Sequence, residues 1–431
     1  MEKNSDKYNS YLQILKEELK PAMGCTEPIA LAYAAALAGK YLETLPEKLE
    51  VKVSTSIIKN VKSVVIPNTG MLKGIEAAIC AGVIGGDPDK ELEVIAYMPK
   101  EKSDEIQKYS KTVCIEVEHL KGGATFEIIL FAYAKGSCVK VHILDKHTNV
   151  VSIEKDGKIL KKDLAYTDSS EKNSDRSILN MKDIWDFAQS VDLEDVREII
   201  KAQIDCNMNI SIEGMKNNYG ANIGKVLLES DVNSVKTRAK AMAAAGSDAR
   251  MNGCELPVII NSGSGNQGIT VSVPVIVYAK ELGVDEEKLY RALVLSNLTA
   301  IHQKTGIGTL SAYCGVVSAG AGSGAGIAYL CGGGFEEVEH TVVNAVAILS
   351  GMICDGAKSS CAAKIAAAVD AGIFGYTMYK SGQQFYSGDG IVANGIEPTI
   401  KNVGRLGREG MKATNDEIID TVSYTHLTQP T

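Results

Sequence analysis

Hydrophobic and polar positions follow two rhythms along this chain. In the first 20 residues Tyr11, Leu12, Ile14, Leu15 and Leu19 fall on one broad face between charges. That spacing predicts a helix, ended by Pro21. A second helix is predicted from about Thr26 to Tyr41, rich in Ala and Leu and terminated near Gly39. The period then drops to two over Leu49–Ile58 and Val61–Ile66, which predicts strands, the latter closed by the turn Pro67-Asn68-Thr69-Gly70. Gly74–Gly85, rich in Ala and Ile, predicts a helix, and Leu92–Tyr97, Val113–Glu118, Thr125–Ala132 and Cys138–Leu144 predict strands. The expected fold class of this part is α+β with a mostly antiparallel sheet.

Residues 153–180 are polar and charged and are expected to form a long loop or domain link. Beyond them the composition shifts: residues 1–170 hold 11 glycines and residues 171–431 hold 30. Alanine concentrates there too, in AKAMAAAGSDA, SAGAGSGAGIA and CAAKIAAAVDAG. Small residues at this density predict closely packed helices joined by tight loops gathered around one site. The expectation is therefore a mixed α+β domain over 1–180 and a mainly helical catalytic domain over 181–420. A short helix, Asn415–Asp420, is expected to give way to an atypical tail, 421–431, that fits neither half and is set aside as an artefact of sequencing or expression. No fixed-period repeat is visible.

Composition narrows the function. Of 431 residues, 45% are hydrophobic and 23% charged, as in an ordinary globular protein with a sizeable core. The net charge of −8 argues against nucleic acid or an anionic membrane surface as partner. Aromatic residues make up 6%, with Trp185 the one tryptophan, so no base-stacking platform is evident. The start, MEKNSDKYNS, has no apolar run of a signal peptide, and the longest apolar stretch, Thr341–Cys354, is broken by Asn344 and Ser350. A cytoplasmic location is expected. The ten cysteines are then expected to be buried thiols, metal ligands or catalytic groups rather than disulfides.

Four segments carry candidate chemistry. In Gly24-Cys25-Thr26-Glu27-Pro28, Thr26 reads as an N-cap with Glu and Pro in the first turn. Cys25 would then stand at the positive end of a helix, where a thiol acidifies; a small buried residue is the plainer alternative. Cys314, Cys354 and Cys361 lie in Gly/Ala/Ser-rich settings, and stay open between iron–sulfur ligation and helix packing, since no compact CxxC is present. If Cys354 and Cys361 share a ligand site, a continuous helix between them would hold them roughly 10 Å apart, so Gly356 is expected to break it. Asn261-Ser262-Gly263-Ser264-Gly265-Asn266-Gln267-Gly268 formally matches the dinucleotide fingerprint but lacks βαβ repetition and a following acidic strand end. It reads better as a loop of free N–H groups with Ser and Asn side chains for a small carboxylate. Lastly, Arg250 in Ser247-Asp248-Ala249-Arg250-Met251 could clamp a carboxylate or pair with Asp248. His302 and Lys304 form a nearby pair, while His119, His147 and His302 show no metal-ligand spacing.

Together the segments GCTEPIALAYAAA, KNVKSVVIPNTG, SDARMNG, NSGSGNQG, LSAYCG, CDGAKSSC and SGDGIV, in that order over residues 10–420, resemble the cysteine desulfidase family, which is similar to the α chain of iron–sulfur L-serine dehydratases. The resemblance implies a [4Fe–4S] cluster held by Cys314, Cys354 and Cys361, no pyridoxal phosphate, and Cys25 as candidate base. The family's last helix looks truncated after Asp420. The expected reaction is β-elimination of L-cysteine to pyruvate, ammonia and sulfide, with the open iron as Lewis acid and Cys25 taking the Cα proton. Ser262, Gly263, Ser264 and Asn266, with Arg250, are expected to bind the substrate carboxylate. Lys59, Asn60, Asn68 and Thr69 are expected to close the site from the N-terminal part. The alternatives are L-serine as substrate, a non-catalytic iron–sulfur sensor, and a nicotinamide-dependent oxidoreductase. A small amino acid is the expected partner, and association into a homo-oligomer is left open.

Overall fold

A computed structural model describes residues 1–162, 174–308 and 310–427. Its N-terminal half holds helices α1 (Asp6–Glu18), α2 (Thr26–Leu42), α3 (Thr55–Val61), α4 (Gly74–Gly85) and α5 (Lys102–Ser110). With them are strands β1 (Pro21–Met23), β2 (Lys48–Ser54), β3 (Cys114–Leu120), β4 (Glu127–Ala134), β5 (Ser137–Leu144), β6 (Val150–Lys155) and β7 (Lys158–Lys162). The C-terminal half holds α6 (Met181–Ser190), α7 (Leu193–Lys216), α8 (Ile223–Ser230), α9 (Val235–Met251) and the short strand β8 (Pro257–Ile259). Helices α10 (Gly265–Leu282), α11 (Glu286–Ile307), α12 (Gly315–Leu330), α13 (Phe335–Leu349), α14 (Cys361–Lys380), α15 (Ile396–Arg405) and α16 (Lys412–Leu427) follow. The fold is α+β, with its large sheet in the first half and a mainly helical second half.

That sheet runs β3-β2-β4-β5-β6-β7; β2 and β3 are parallel and every other pair is antiparallel. Strand β4 alternates buried and half-buried positions, and its apolar face packs on α2. Helix α2 is buried on almost all sides, as its Ala-rich sequence permits, and α4 packs against it. In the second half α12 lies against α10, α11, α13 and α14. At its crossing with α14, Gly320 and Gly372 bring the two backbones close; a Cβ on Gly320 would collide with Ala368. Strand β1 pairs antiparallel with β8, Pro21 opposite Ile259 and Met23 opposite Pro257, which joins the chain just before Cys25 to the chain just before Asn261.

Several expected elements differ. Residues 55–58 form the start of α3 rather than the end of a strand, and 61–66 form no strand beyond single bridges at Val65. Residues 92–93 end a 3-10 segment (Pro88–Glu93) and 94–97 are turns, although Leu92, Val94 and Ile95 are buried, so burial without a ladder partner produced the apolar run. Helix α2 passes through Gly39 and ends at Glu43 in the left-handed region. The expected link instead contributes β6 and β7 as far as Lys162, while 163–173 lie outside the described residues. Helix α16 continues through Asp420 to Leu427, so the end of the expected helix is not where the chain stops being helical; 428–431 lie outside the described residues. The β-branched run after NSGSGNQG belongs to the buried helix α10. All ten cysteines are free. Among the described residues no helix is long and apolar enough to cross a membrane.

Candidate active site

Helix α2 begins at Thr26, so Cys25, not Thr26, is its N-cap. Because that helix is sheathed on all sides, its first-turn acid Glu27 is buried with it. Glu27 Oε1 accepts a hydrogen bond from Asn60 Nδ2 (3.0 Å) and Oε2 one from the Cys25 thiol (3.1 Å). His147 Nε2, on the β5–β6 connection, lies 3.9 Å from Oε1, and Phe126 packs edge-on against its ring. Burial by itself would raise the Glu27 carboxyl, but the His147 imidazole, the Cys25 thiol and a backbone N–H bring it down to about 2. The thiol shifts the other way: burial and then the Glu27 charge push Cys25 well above its ordinary value, against the smaller opposing effect of Arg250. The expectation of an acidified thiol is thus reversed at rest. The helix start is present, but burial, and after it an ionised carboxylate in direct contact, outweigh it.

Opposite this segment lies the loop between β8 and α10. Asn207 of α7 fixes its base, accepting from Ile259 N–H (2.9 Å) and donating to Ile259 C=O (3.1 Å) and Ser272 Oγ (3.0 Å). Ser262 (φ 50°) and Gly263 (φ 77°) turn the chain in the left-handed region, and Thr26 Oγ1 donates to Gly263 C=O (3.0 Å) across 237 residues of sequence. Arg250, at the end of α9, is only 2% exposed. Its Nη1 donates to Asn266 Oδ1 (3.1 Å), while Nε and Nη2 have no protein partner. Gly265 permits this approach, since a Cβ there would collide with Arg250 Nε. Asp248, weighed as a partner for Arg250, accepts instead from Gly224 N–H (3.1 Å).

The third wall carries the thiols. A bridge between Tyr313 and Ile353, with Cys354 N–H donating to Ala312 C=O (2.6 Å) and Cys314 N–H to Met352 C=O (3.1 Å), sets Cys314 beside Cys354. Their side chains hydrogen-bond; Cys314 keeps the proton, and Cys354 is driven toward thiolate by that bond and by the Lys59 and Lys304 charges. Residues 354–360 are not helical, and α14 starts at Cys361. Gly356 (φ 106°) makes the break and packs so tightly on the Lys59 backbone that a side chain there would clash.

The three walls enclose one cavity. It includes Cys25, Glu27, Asn60, His147, Arg250, Ser262, Gly263, Ser264, Asn266, Lys304, Cys314, Cys354 and Cys361. Four helices start on it: α2 at Cys25, α10 at Ser264, α12 at Cys314 and α14 at Cys361. Their N–H ends favour anionic ligands. Lys304 of α11 is buried between this cavity and an adjoining one of about 560 Å³, and burial pushes it down to about 8.

Other expected site residues lie elsewhere. Asn68 and Thr69 do not reach the cavity; Asn68 Nδ2 donates to Ile95 C=O, 27 residues further along the chain, and Thr69 Oγ1 to Ile66 C=O within its own turn. Lys59 stands behind the wall with Nζ on Asn415 Oδ1 (2.8 Å). His302 is bonded to Glu397 (2.8 Å). Sequence reasoning missed Glu27, His147 and Gln267 as cavity residues. An acid inside an otherwise Ala/Leu helix was the available signal for Glu27; nothing in the sequence flags His147.

The donor set fits an iron–sulfur cluster. Among the described residues no three His, Cys, Asp or Glu side chains converge as closely as one metal ion requires. A cubane is several ångströms across and asks only that three sulfurs face one space, as Cys314, Cys354 and Cys361 do. Ligand sulfurs must ionise, and Lys59 and Lys304 act in that direction on Cys354.

The family model described as "Serine dehydratase alpha chain" matches residues 89–420. A UPF0597 protein of Desulfitobacterium hafniense is 59% identical over 420 residues, covering 97% of this chain and 98% of the relative. UPF0597 proteins of Lachnoclostridium phytofermentans (50% identical, 96% and 99% covered) and Treponema denticola (45%, 98% and 99%) are similar along their whole length.

Proposed function

From the premise that the chain belongs to the serine dehydratase alpha chain family, we propose that it eliminates the β-substituent of a small L-amino acid, with L-cysteine giving pyruvate, ammonia and sulfide. Family membership supports a dehydratase-type lyase. The observation that carries the finer reading is one cavity shared by three thiols, a fourth thiol on a separate helix start, and a buried guanidinium with two unpartnered N–H groups.

Cys314, Cys354 and Cys361 would hold a [4Fe–4S] cluster, which when bound supplies Lewis acidity toward the leaving group. Arg250 Nε and Nη2, Ser262, Ser264 and Asn266 bind the substrate carboxylate, and the start of α10 adds its N–H groups. Cys25 takes the Cα proton. At rest this thiol is neutral and donates to Glu27, so it must first lose its proton to solvent, and cationic groups brought near it act in that direction. Burial of the cavity walls keeps bulk water from the carbanion. The aminoacrylate product then tautomerises and takes up water, which balances the release of ammonia.

The second reading keeps the residues and makes L-serine the substrate, with water as leaving group; membership of a serine dehydratase family favours it. Anaerobic assay of sulfide from L-cysteine beside pyruvate from L-serine, without added pyridoxal phosphate, decides between them. Absence of both activities in cluster-reconstituted protein overturns the proposal.

A further inference from the structure

The cavity holds a buried carboxylate and a buried guanidinium that do not pair with each other. Among the described residues Glu27 has no Lys or Arg within ion-pair distance; its charged-type neighbour is His147 at 3.9 Å. Among the described residues Arg250 likewise has no carboxylate partner, and its one hydrogen bond goes to a neutral amide. Buried charges left in this state are costly, and the cost falls when a ligand supplies both complements. Such a ligand carries a carboxylate at one end and a cation at the other.

We infer that Glu27 is the subsite for the substrate α-ammonium, opposite Arg250 as the subsite for its carboxylate, so that the pair selects an α-amino acid zwitterion over a simple carboxylic acid. Asn60 holds the Glu27 carboxylate from one side. The Cys25 thiol, which now occupies Oε2, is the group an arriving ammonium displaces. That displacement has a chemical consequence: a cation against Glu27 cancels the negative charge that adds to burial in keeping Cys25 protonated. Lys304, also on this cavity, shares the Arg250 side of the balance, since it too would attract a carboxylate.

This inference rests on the amino-acid reading of the site. Its test uses two unreactive probes that differ only in the ammonium, L-alanine and propionate. Their binding to anaerobically purified wild type, Glu27→Gln and Glu27→Asp is measured by calorimetry, and their inhibition of turnover in parallel. Wild type is expected to prefer L-alanine by roughly 10- to 100-fold, the scale of one charged hydrogen-bonded contact. In Glu27→Gln the preference should fall to within about threefold, through loss of L-alanine affinity while propionate affinity is kept, and Glu27→Asp should restore part of it. If Glu27→Gln retains the wild-type preference, or loses affinity for both probes equally, the inference is wrong while the amino-acid reading stands. If wild type binds neither probe and turns over neither substrate, both fall together.

Discussion

Replacing Glu27 by Gln should make Cys25 more reactive, although helix starts and active-site charges are usually invoked for the opposite purpose. In the wild type the Cys25 sulfur lies 3.1 Å from Glu27 Oε2. Two unit charges at about 4 Å in a medium of effective permittivity ~20 repel by about 4 kcal/mol, and like-charge neighbours move a pKa by about 1–3 units in practice. Removing the charge should therefore raise the thiolate fraction at neutral pH by about 10- to 10³-fold. A thiolate of lower pKa is a poorer nucleophile, with a Brønsted slope of about 0.5, so the alkylation rate should rise by roughly 3- to 30-fold. The assay is iodoacetamide labelling of cluster-free protein, followed by mass spectrometry that resolves each cysteine-containing peptide. Exposed Cys114 serves as the rate standard, and buried Cys80 as a sentinel for unfolding. A Cys25 rate that is unchanged or slower, with Cys114 and Cys80 steady, would refute the electrostatic account.

Other outcomes follow from the same geometry. Arg250→Lys removes the two-pronged donor while keeping charge, and should raise KM for the amino acid by about 10- to 100-fold with a smaller effect on kcat; steady-state kinetics with an unaltered KM would remove Arg250 from the carboxylate site. Cys314→Ala, Cys354→Ala and Cys361→Ala should each lose the ~4 irons per chain expected of a cubane, whereas Cys80→Ala and Cys331→Ala should retain them, as read by iron and sulfide analysis after anaerobic reconstitution. Asp248, pushed up to about 6 by burial, binds its proton more tightly when folded, so its favourable contribution is present below the unfolded carboxyl pKa of about 3.9 and is lost as pH rises through 6. Asp248→Asn should accordingly raise the melting temperature near pH 8, by on the order of 2 kcal/mol in stability, and give no gain near pH 4; an equal gain at both would sink the assignment. Asn207→Ala strips the partners of Ile259 and should cost about 2–4 kcal/mol in denaturant unfolding.

The helical half was legible because Ala/Gly density is a direct signature of close helix contacts, and the crossing of α12 and α14 through Gly320 and Gly372 realises it. The expected break at Gly356 was also readable, from the spacing of Cys354 and Cys361 against the rise of a helix. Local reading failed where burial arose without a ladder: Leu92, Val94 and Ile95 look like a strand and instead lie buried in a 3-10 segment and the turn after it. It failed again at β7, whose exposed KILKK carries almost no apolar pattern and is held as an edge by β6. In the site, residues inside distinctive motifs came together, but Asn68 and Thr69 did not, because Asn68 is spent on the Ile95 carbonyl and Thr69 on its own turn. The ionisation of Cys25 could not be read from position along a helix, since it depends on how deeply the thiol is buried and on Glu27 curling back within the same turn.

The four helix starts around the cavity separate what the molecule is at long range from what it is inside. Beyond a Debye length of about 8–10 Å an approaching solute meets a body of net charge −8. Within the last turn of its path it meets converging N–H ends, whose influence dies away over a similarly short distance. Surface charge and interior potential are therefore independent variables in this fold. Substituting exposed acids or lysines changes solubility and the salt sensitivity of arrival, while the grip on a bound anion is set by backbone ends and buried side chains such as Arg250, which a surface substitution leaves in place.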